Sequence, residues 1–244
     1  MDYNQELYIS SLFDFSDFLE NEFLSDCIIK IQNPDGSQTD FKAHSVILAN
    51  SSLFFYNVFT SGMQESSEGV VIVNVNPDNV LPKALTWLYN GKIQFSKEEL
   101  MPLFEVAHFY AIDQLTKELK NVFQEIIENN PKEILNFAEQ CLNNEYSMGI
   151  RLFYPDFARL IRNKTIPISD ISSILTCEDF AEIVKVLHYS NTNAIQLITD
   201  FYGSYEGSEE EKQYLFNALD RSDNSLIRTL NTIKPNWLPK AYIK

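Results

Sequence analysis

The chain has 244 residues, a formal net charge of −15 and a sequence pI of about 4.6. This length allows one large or two small domains with a sizeable core. The negative charge disfavours a nucleic-acid partner, because a phosphate backbone would be repelled. The basic run from Arg159 to Lys164 is a local exception, which we interpret as the solvated face of a helix.

Three cysteines, Cys27, Cys141 and Cys177, lie far apart in apolar surroundings. Their number and spacing argue against a disulfide framework or a zinc site, so we expect buried, reduced thiols. The N-terminus lacks a basic region followed by an apolar run, and no stretch approaches the ~20 apolar residues of a spanning helix. We therefore expect an intracellular protein, cytoplasmic or nuclear, without a membrane partner.

The first predicted elements are a short strand at Tyr8–Ile9 and a helix from Ser11 to Phe23. Apolar side chains recur at intervals of three or four along this helix, at Leu12, Phe15, Leu19 and Phe23. Such a stripe can pack against a second subunit, or it can cover the sheet of its own domain.

The next stretch predicts two antiparallel strands, Cys27–Ile31 and Gln38–Lys42, because Asn33-Pro34-Asp35-Gly36 has the composition of a turn. Two short helices follow, one around Val46–Leu48 and one carrying Leu53, Phe54, Val58 and Phe59. Ser51 or Ser52 can cap the second helix, and Gly62 can end it.

The β-branched run Val70–Val75 predicts a strand buried on both faces. A helix with Pro82 in its first turn ends at Asn90-Gly91. Ser96 and Glu99 form a capping box that predicts a helix from Lys97 to about Tyr110, and Asp113 can cap the next helix. Beyond Pro131 the periodicity is helical, with helices expected at Ala194–Tyr205, Glu209–Leu219 and Leu226–Ile233.

Several of these pieces together resemble the BTB/POZ domain. The resemblance lies in Asp26 at the first strand, Phe41-Lys42-Ala43-His44, Leu48-Ala49, Ser51-Ser52-Leu53-Phe54 and the segment Leu88–Ile93. It covers roughly residues 8–128 and implies an α+β fold, a short mixed sheet flanked by helices. It further implies a homodimer in which residues 1–25 are the dimerisation segment of the BTB domain, through Leu12, Phe15, Leu19 and Phe23, and residues 26–128 form the BTB/POZ domain itself.

The second half, residues 129–244, is similar to the BACK-type helical extension that often follows a BTB domain. This similarity rests on its position, its helix spacing and the capping pattern from Thr176 to Asp179 before Phe180. The expected fold is thus a BTB/POZ domain followed by an all-helical BACK-like domain. No strand repeats follow, so we expect the chain to lack the substrate-reading propeller that often completes such proteins.

Asp26 and His44 are the residues that invite a catalytic or metal interpretation. Both lie at element ends, where they more often satisfy backbone groups, so we expect structural roles. The three histidines are dispersed, and neither a glycine-rich phosphate loop nor a nucleophile elbow is found. We therefore expect no enzyme activity, catalytic residue, cofactor or metal.

The candidate for function is Met63-Gln64-Glu65, directly after the second short helix. In BTB adaptors that recruit a cullin scaffold, this position holds an apolar residue, any residue and then Glu. The resemblance implies that Met63 and Glu65 bind the cullin, with Phe59, Phe109 and Tyr110 completing the surface. The alternative is that these residues only end a helix.

The sequence departs from the family at Ser45, where BTB zinc-finger transcription factors generally carry a basic residue. This departure argues against a corepressor-binding role. The leading hypothesis is a non-enzymatic homodimeric adaptor for a cullin-three RING ubiquitin ligase, presenting an unknown substrate protein. The alternative is a dimeric scaffold or decoy that occupies BTB partners without delivering a substrate.

Overall fold

The computed structural model describes residues 7–10, 14–19, 21–62, 68–146, 150–187, 191–212 and 214–215. These residues fall into two compact units. The first holds the described residues up to Glu128 together with Tyr146, and the second holds residues 129–145 and those from Ile150 onward. The first unit contains all the described strands, whereas the described part of the second is helical.

The described residues of the first unit form five strands in two small sheets: β1 (Leu7–Ser10), β2 (Cys27–Gln32), β3 (Gln38–Ala43), β4 (Val70–Val73) and β5 (Lys92–Phe95). Strand β1 pairs with β5 in an antiparallel sheet. The second sheet has the order β3-β2-β4, with β3 antiparallel and β4 parallel to the central strand. The strands predicted at residues 8–9, 27–31 and 38–42 are confirmed, and the fold is α+β.

The prediction that the strand beginning at Val70 is buried on both faces was wrong. Val71 and Val73 are each 2% exposed, but Ile72 between them is 61% exposed. The reason is that successive side chains of a strand point to opposite faces of the sheet, and β4 turns only one of its faces to the core. A continuous β-branched run therefore did not require two covered faces.

The described part of the first unit also contains five α-helices: α1 (Ser45–Ser51), α2 (Leu53–Thr60), α3 (Leu81–Asn90), α4 (Leu100–Phe109) and α5 (Asp113–Asn129). The Ser52 hydroxyl caps α2 by accepting the backbone N–H of Phe55 at 3.2 Å, as predicted. Gly62, just beyond α2, has a φ of 70°, and Gly91 ends α3 with a φ of 63°. Both positions need the left-handed backbone that glycine adopts at little cost.

Helix α4 begins three residues later than the capping box predicts. The Glu99 carboxylate does accept the Ser96 N–H at 2.9 Å, but the helix starts at Leu100. Pro102 explains the shift, since a helix begun at Lys97 would place this proline where an N–H must bond to the preceding turn. Starting at Leu100 puts Pro102 in the first turn, where no N–H is required.

The predicted helix from Ser11 to Phe23 is not seen in the described part of that segment. A single 3-10 turn spans Ser16–Phe18, and Leu19 is extended with a ψ of 127°. The Asp14 carboxylate accepts the Ser16 N–H at 3.0 Å, so a side chain satisfies a backbone N–H near the start of the segment. The Phe15 N–H bonds instead to the Tyr89 carbonyl at 2.6 Å. Residues 11–13 and 20 lie outside the described residues.

The second unit contains six described helices: α6 (Glu133–Asn143), α7 (Tyr154–Arg162), α8 (Ile168–Ser172), α9 (Cys177–Val186), α10 (Asn191–Ser204) and α11 (Glu209–Lys212). Thr176 caps α9 as predicted, because its hydroxyl accepts the Asp179 N–H at 3.1 Å. The helix expected at residues 194–205 corresponds to α10. The helix expected at 226–233 lies outside the described residues, as does the end of the one expected at 209–219. None of the described helices combines the length and apolarity needed to cross a bilayer.

Candidate functional site

Asp26 holds the N-terminus of α1. Its carboxylate accepts the backbone N–H of Ser45 at 2.7 Å with one oxygen and the Ser45 hydroxyl at 2.6 Å with the other. Burial raises the pKa of the Asp26 carboxyl, but these hydrogen bonds outweigh it and the pKa lies below its ordinary value. Ser45, which departs from the zinc-finger members of the family, thus satisfies Asp26 directly.

His44 is 4% exposed, and both of its ring nitrogens have partners. Nε2 lies 2.9 Å from the carbonyl of Phe23, which can only accept, so Nε2 carries a proton. Nδ1 lies 3.1 Å from the hydroxyl of Tyr89, and that same oxygen accepts the backbone N–H of His44 at 2.9 Å. Burial raises the pKa of Tyr89 to about 12, so the hydroxyl is protonated at neutral pH and can donate to Nδ1.

Through these contacts, Asp26 and His44 connect the strands to α1, to α3 and to the segment before Ser25. Cys27, the nearest thiol, has its pKa raised to about 12 by burial and then by Asp26, so it is neutral at physiological pH. Among the described residues, no three His, Cys, Asp or Glu side chains are grouped as metal ligands would be. Asp26 and His44 therefore support the fold by hydrogen bonding to backbone groups of other elements.

The residues predicted for dimerisation divide between covered and exposed positions. Phe15 is 40% exposed and Phe23 is 66% exposed, while Leu19 is half-buried. Leu12 lies outside the described residues. Leu24 was missed by the sequence reasoning, although it is 68% exposed with a φ of 62°. Single exposed apolar side chains are ordinary on a protein surface, whereas large contiguous apolar patches are uncommon.

The residues predicted to bind a cullin are also only partly exposed. Phe59 is half-buried at the end of α2, and Phe109 is 42% exposed at the end of α4. Met63 and Glu65 lie outside the described residues, and Gly62 is the last described residue before them. Tyr110 differs from the expectation, because it is fully buried and its side chain is not available to a partner in this conformation.

Tyr110 supports the surface from beneath. Its hydroxyl accepts the Val75 N–H and donates to the Val75 carbonyl, both at 3.1 Å. Its ring stacks on Phe55 with centroids 6.0 Å apart, and its carbonyl accepts the Ser52 hydroxyl at 2.6 Å. Tyr110 therefore fixes the start of α2 against the end of α4.

Leu53, Tyr56 and Phe109 form an exposed apolar surface above this support, which we call the α2 surface. Leu53 is 59% exposed and Tyr56, one turn later, is 51% exposed. The ring of Phe54 lies 6.3 Å from that of Phe109, and the Leu53 N–H bonds to the Ala111 carbonyl at 3.3 Å. These two contacts hold α2 against the end of α4.

Sequence reasoning did not assign Tyr56 to this surface, yet a signal was present. Helix α2 reads Leu-Phe-Phe-Tyr-Asn-Val-Phe-Thr, with apolar or aromatic side chains all around its axis. A helix that only covers one core needs a single apolar stripe. The excess of apolar residues indicates a second contact surface.

Three comparisons with known proteins cover part of the chain. A family model for the BTB/POZ domain matches residues 15–127. The human protein "Kelch repeat and BTB domain-containing protein 4" is 27% identical over 100 residues, covering 41% of this chain and 18% of that protein. A solved structure, the BTB domain of zebrafish PATZ1, is 22% identical with a TM-score of 0.35, covering 41% of this chain and 76% of that one.

A longer match extends through the second unit. "Kelch-like protein 40" of Xenopus tropicalis is 28% identical over 239 residues, covering 93% of this chain and 34% of that protein. Its Xenopus laevis namesake is 31% identical over 114 residues, covering 46% of this chain and 17% of that protein. This chain thus spans about a third or less of the length of these relatives. It carries a BTB/POZ domain at residues 15–127, followed by a helical C-terminal region.

Proposed function

We propose that this chain is a homodimeric, non-enzymatic adaptor that recruits a cullin-three RING ubiquitin ligase scaffold through its BTB domain. The single observation that carries the proposal is the α2 surface, which lies directly before Met63-Gln64-Glu65 in a chain with a BTB/POZ match. The similarity to Kelch-like proteins supports an adaptor role of this kind.

The α2 surface has the physical properties of a binding hot spot. Leu53, Tyr56 and Phe109 are exposed on elements whose positions are already fixed, because the buried rings of Phe55 and Tyr110 stack on each other. Preorganised aromatic anchors contribute most of the affinity of an interface. In the proposed complex Met63 fills a pocket of the cullin, and the Glu65 carboxylate orients the loop or pairs with a basic group.

Dimerisation would cover the exposed side chains near the N-terminus. Phe15, Phe23 and Leu24 are the apolar residues that a second copy would bury, and a two-fold axis would make this contact self-complementary. The second unit, which we interpret as a BACK-like domain, would extend the cullin contact and present the target protein.

The test is isothermal titration calorimetry of the full chain with the N-terminal domain of a cullin of this type. We expect saturable binding by the natural chain, and loss of the heat when Met63→Ala and Glu65→Ala are combined. Gln64→Ala is the matched control and should bind normally. Absence of binding by the natural chain, or equal loss in the Gln64 control, would contradict the proposal.

A further inference from the structure

A groove of about 570 Å³ opens on the second unit, in a region that the adaptor proposal does not use. It lies between the C-terminal end of α7, the connection to α8 and one side of α10. The residues that line it are Ile161, Arg162, Lys164, Ile166, Pro167, Ile168, Gln196, Leu197 and Asp200. Its volume falls within the range of about 300–1,000 Å³ that is common for ligand-binding clefts.

The floor of the groove is apolar. Ile161 and Ile166 are 4% and 3% exposed, and Ile168 and Leu197 are half-buried on either side of them. Burying an aliphatic side chain here would be favourable by about 25 cal/mol of free energy per Å² of apolar surface removed from water. The floor therefore favours a ligand that carries at least one aliphatic group.

The rim carries two cations on the α7 side. The Arg162 guanidinium donates through Nη2 to the Leu187 carbonyl at 3.1 Å, which holds the arginine in place and leaves further N–H donors. Lys164 is exposed, with a φ of 54°. In the described part of the chain, neither side chain forms an ion pair with a carboxylate. These cations stand out in a chain whose formal net charge is −15.

The opposite rim carries a carboxylate. Asp200 lines the groove from α10, and one of its oxygens accepts the Gln196 side-chain N–H at 2.8 Å. This carboxylate would repel an anion on the α10 side, whereas Arg162 and Lys164 would attract it on the α7 side. The charges therefore favour a ligand whose negative group lies beside Arg162 and Lys164 and away from Asp200.

We propose that this groove binds a peptide segment of a partner protein in which an acidic side chain precedes or follows an aliphatic one. An acidic side chain pairs with Arg162 and Lys164, and the aliphatic side chain lies on Ile161 and Ile166. Charge complementarity argues for this partner, because the groove is a locally cationic site on an acidic protein. A polyphosphate partner is disfavoured because it has no aliphatic group to lie on Ile161 and Ile166.

The test uses two synthetic heptapeptides, acetyl-Gly-Ser-Asp-Leu-Gly-Ser-Gly-amide and its counterpart with Asp replaced by Asn. Methyl NMR of the full chain should show saturable shifts at Ile161, Ile166 and Leu197 with the acidic peptide. The neutral peptide should bind at least about tenfold more weakly, and the difference should shrink as salt is added. Absence of saturable shifts at these methyls, or equal binding of the two peptides, would overturn the proposal.

Three variants locate the site. Combining Arg162→Gln with Lys164→Gln should weaken binding of the acidic peptide at least about tenfold, whereas Asp200→Asn should leave it unchanged or tighten it. Lys117→Glu on α5 changes the net charge equally, at an exposed lysine of the first unit, and should have no effect. A loss in the Lys117 control as large as in the double variant, or a tenfold loss in Asp200→Asn, would also overturn the proposal. These titrations contain no cullin, so their failure would not bear on the adaptor proposal.

Discussion

The hydroxyl of Tyr89 on α3 lies 2.9 Å from the backbone nitrogen and 3.1 Å from the Nδ1 atom of His44, at the start of α1. One buried phenol thus satisfies two groups of one residue. Tyr89→Phe keeps the ring and leaves the His44 N–H without its acceptor. Removing one partner of a buried hydrogen bond costs about 1–3 kcal/mol. We expect the free energy of unfolding to fall by this amount in urea titrations monitored by circular dichroism.

The matched control for this prediction is Tyr56→Phe. Tyr56 is 51% exposed on α2, and its hydroxyl faces solvent rather than a buried backbone group. The control should unfold at nearly the same urea concentration as the natural chain. Equal losses in the two variants would show that His44 does not depend on Tyr89.

The contact between Asp26 and Ser45 predicts a dependence of stability on pH. The pKa of Asp26 is lowered in the folded protein, so its contribution is present above the unfolded value of about 3.9. That contribution is lost as the pH falls through the lower, folded pKa. Asp26→Asn should lower the free energy of unfolding at pH 7 by about 0.5–2 kcal/mol, in the range of helix-capping losses.

The measurement is a set of urea titrations between about pH 7 and pH 2.5, with unfolded reference values near 3.9. Below pH 4 the natural chain should lose stability more steeply than Asp26→Asn, so that the two curves converge. Asp78→Asn is a suitable control, because Asp78 is exposed with a φ of 49°, a conformation that asparagine tolerates. Parallel curves for Asp26→Asn and the natural chain would refute the prediction.

The exposed aromatic residues before β2 predict the oligomeric state. Within one copy Phe23 is 66% exposed and Phe15 is 40% exposed, so we expect each copy to fold when both are replaced by Asp. The natural chain should have twice the mass of 28.2 kDa in light scattering at micromolar concentration. Phe15→Asp combined with Phe23→Asp should give the monomer mass while retaining the circular dichroism spectrum. A monomeric natural chain would remove the basis of the dimer proposal.

The α2 surface predicts a second part of the cullin contact, in addition to Met63 and Glu65. Leu53→Asp combined with Tyr56→Asp should raise the Kd for the cullin domain at least about tenfold, equivalent to about 1.4 kcal/mol. Both side chains are more than half exposed, so the fold should survive the change. Ile72→Asp, at a residue of β4 that is 61% exposed, is the control and should bind as the natural chain does. Equal weakening in both variants would show that the α2 surface is not the contact.

The strands and most helix ends could be predicted from residues that act locally. Ser52 and Thr176 cap the helices expected of them, since a capping hydroxyl needs only its own next turn. The start of α4 required weighing one local signal against another, and Pro102 prevailed over the capping box. Such conflicts can be resolved from sequence when the proline is tested against each possible helix start.

The segment before β2 could not be predicted in this way, because its backbone bonds to a distant element. The Phe15 N–H reaches the Tyr89 carbonyl, and the Phe23 carbonyl reaches His44. Periodicity reports which residues are apolar, but not which backbone partner a donor will find. The same limit applies to Tyr110, whose aromatic character suits either a binding surface or the core. Only its two hydrogen bonds to Val75 place it in the core.

The pairing of β1 with β5 has a consequence for how the chain folds during synthesis. Leu7 pairs with Phe95, and Ile28 pairs with Val70, so neither sheet can close while the intervening chain is still inside the ribosome. Sheets built from such distant partners form slowly compared with helices joined by short connections. Strand β1 therefore stays unpaired in the nascent chain until α3 and β5 have been synthesised.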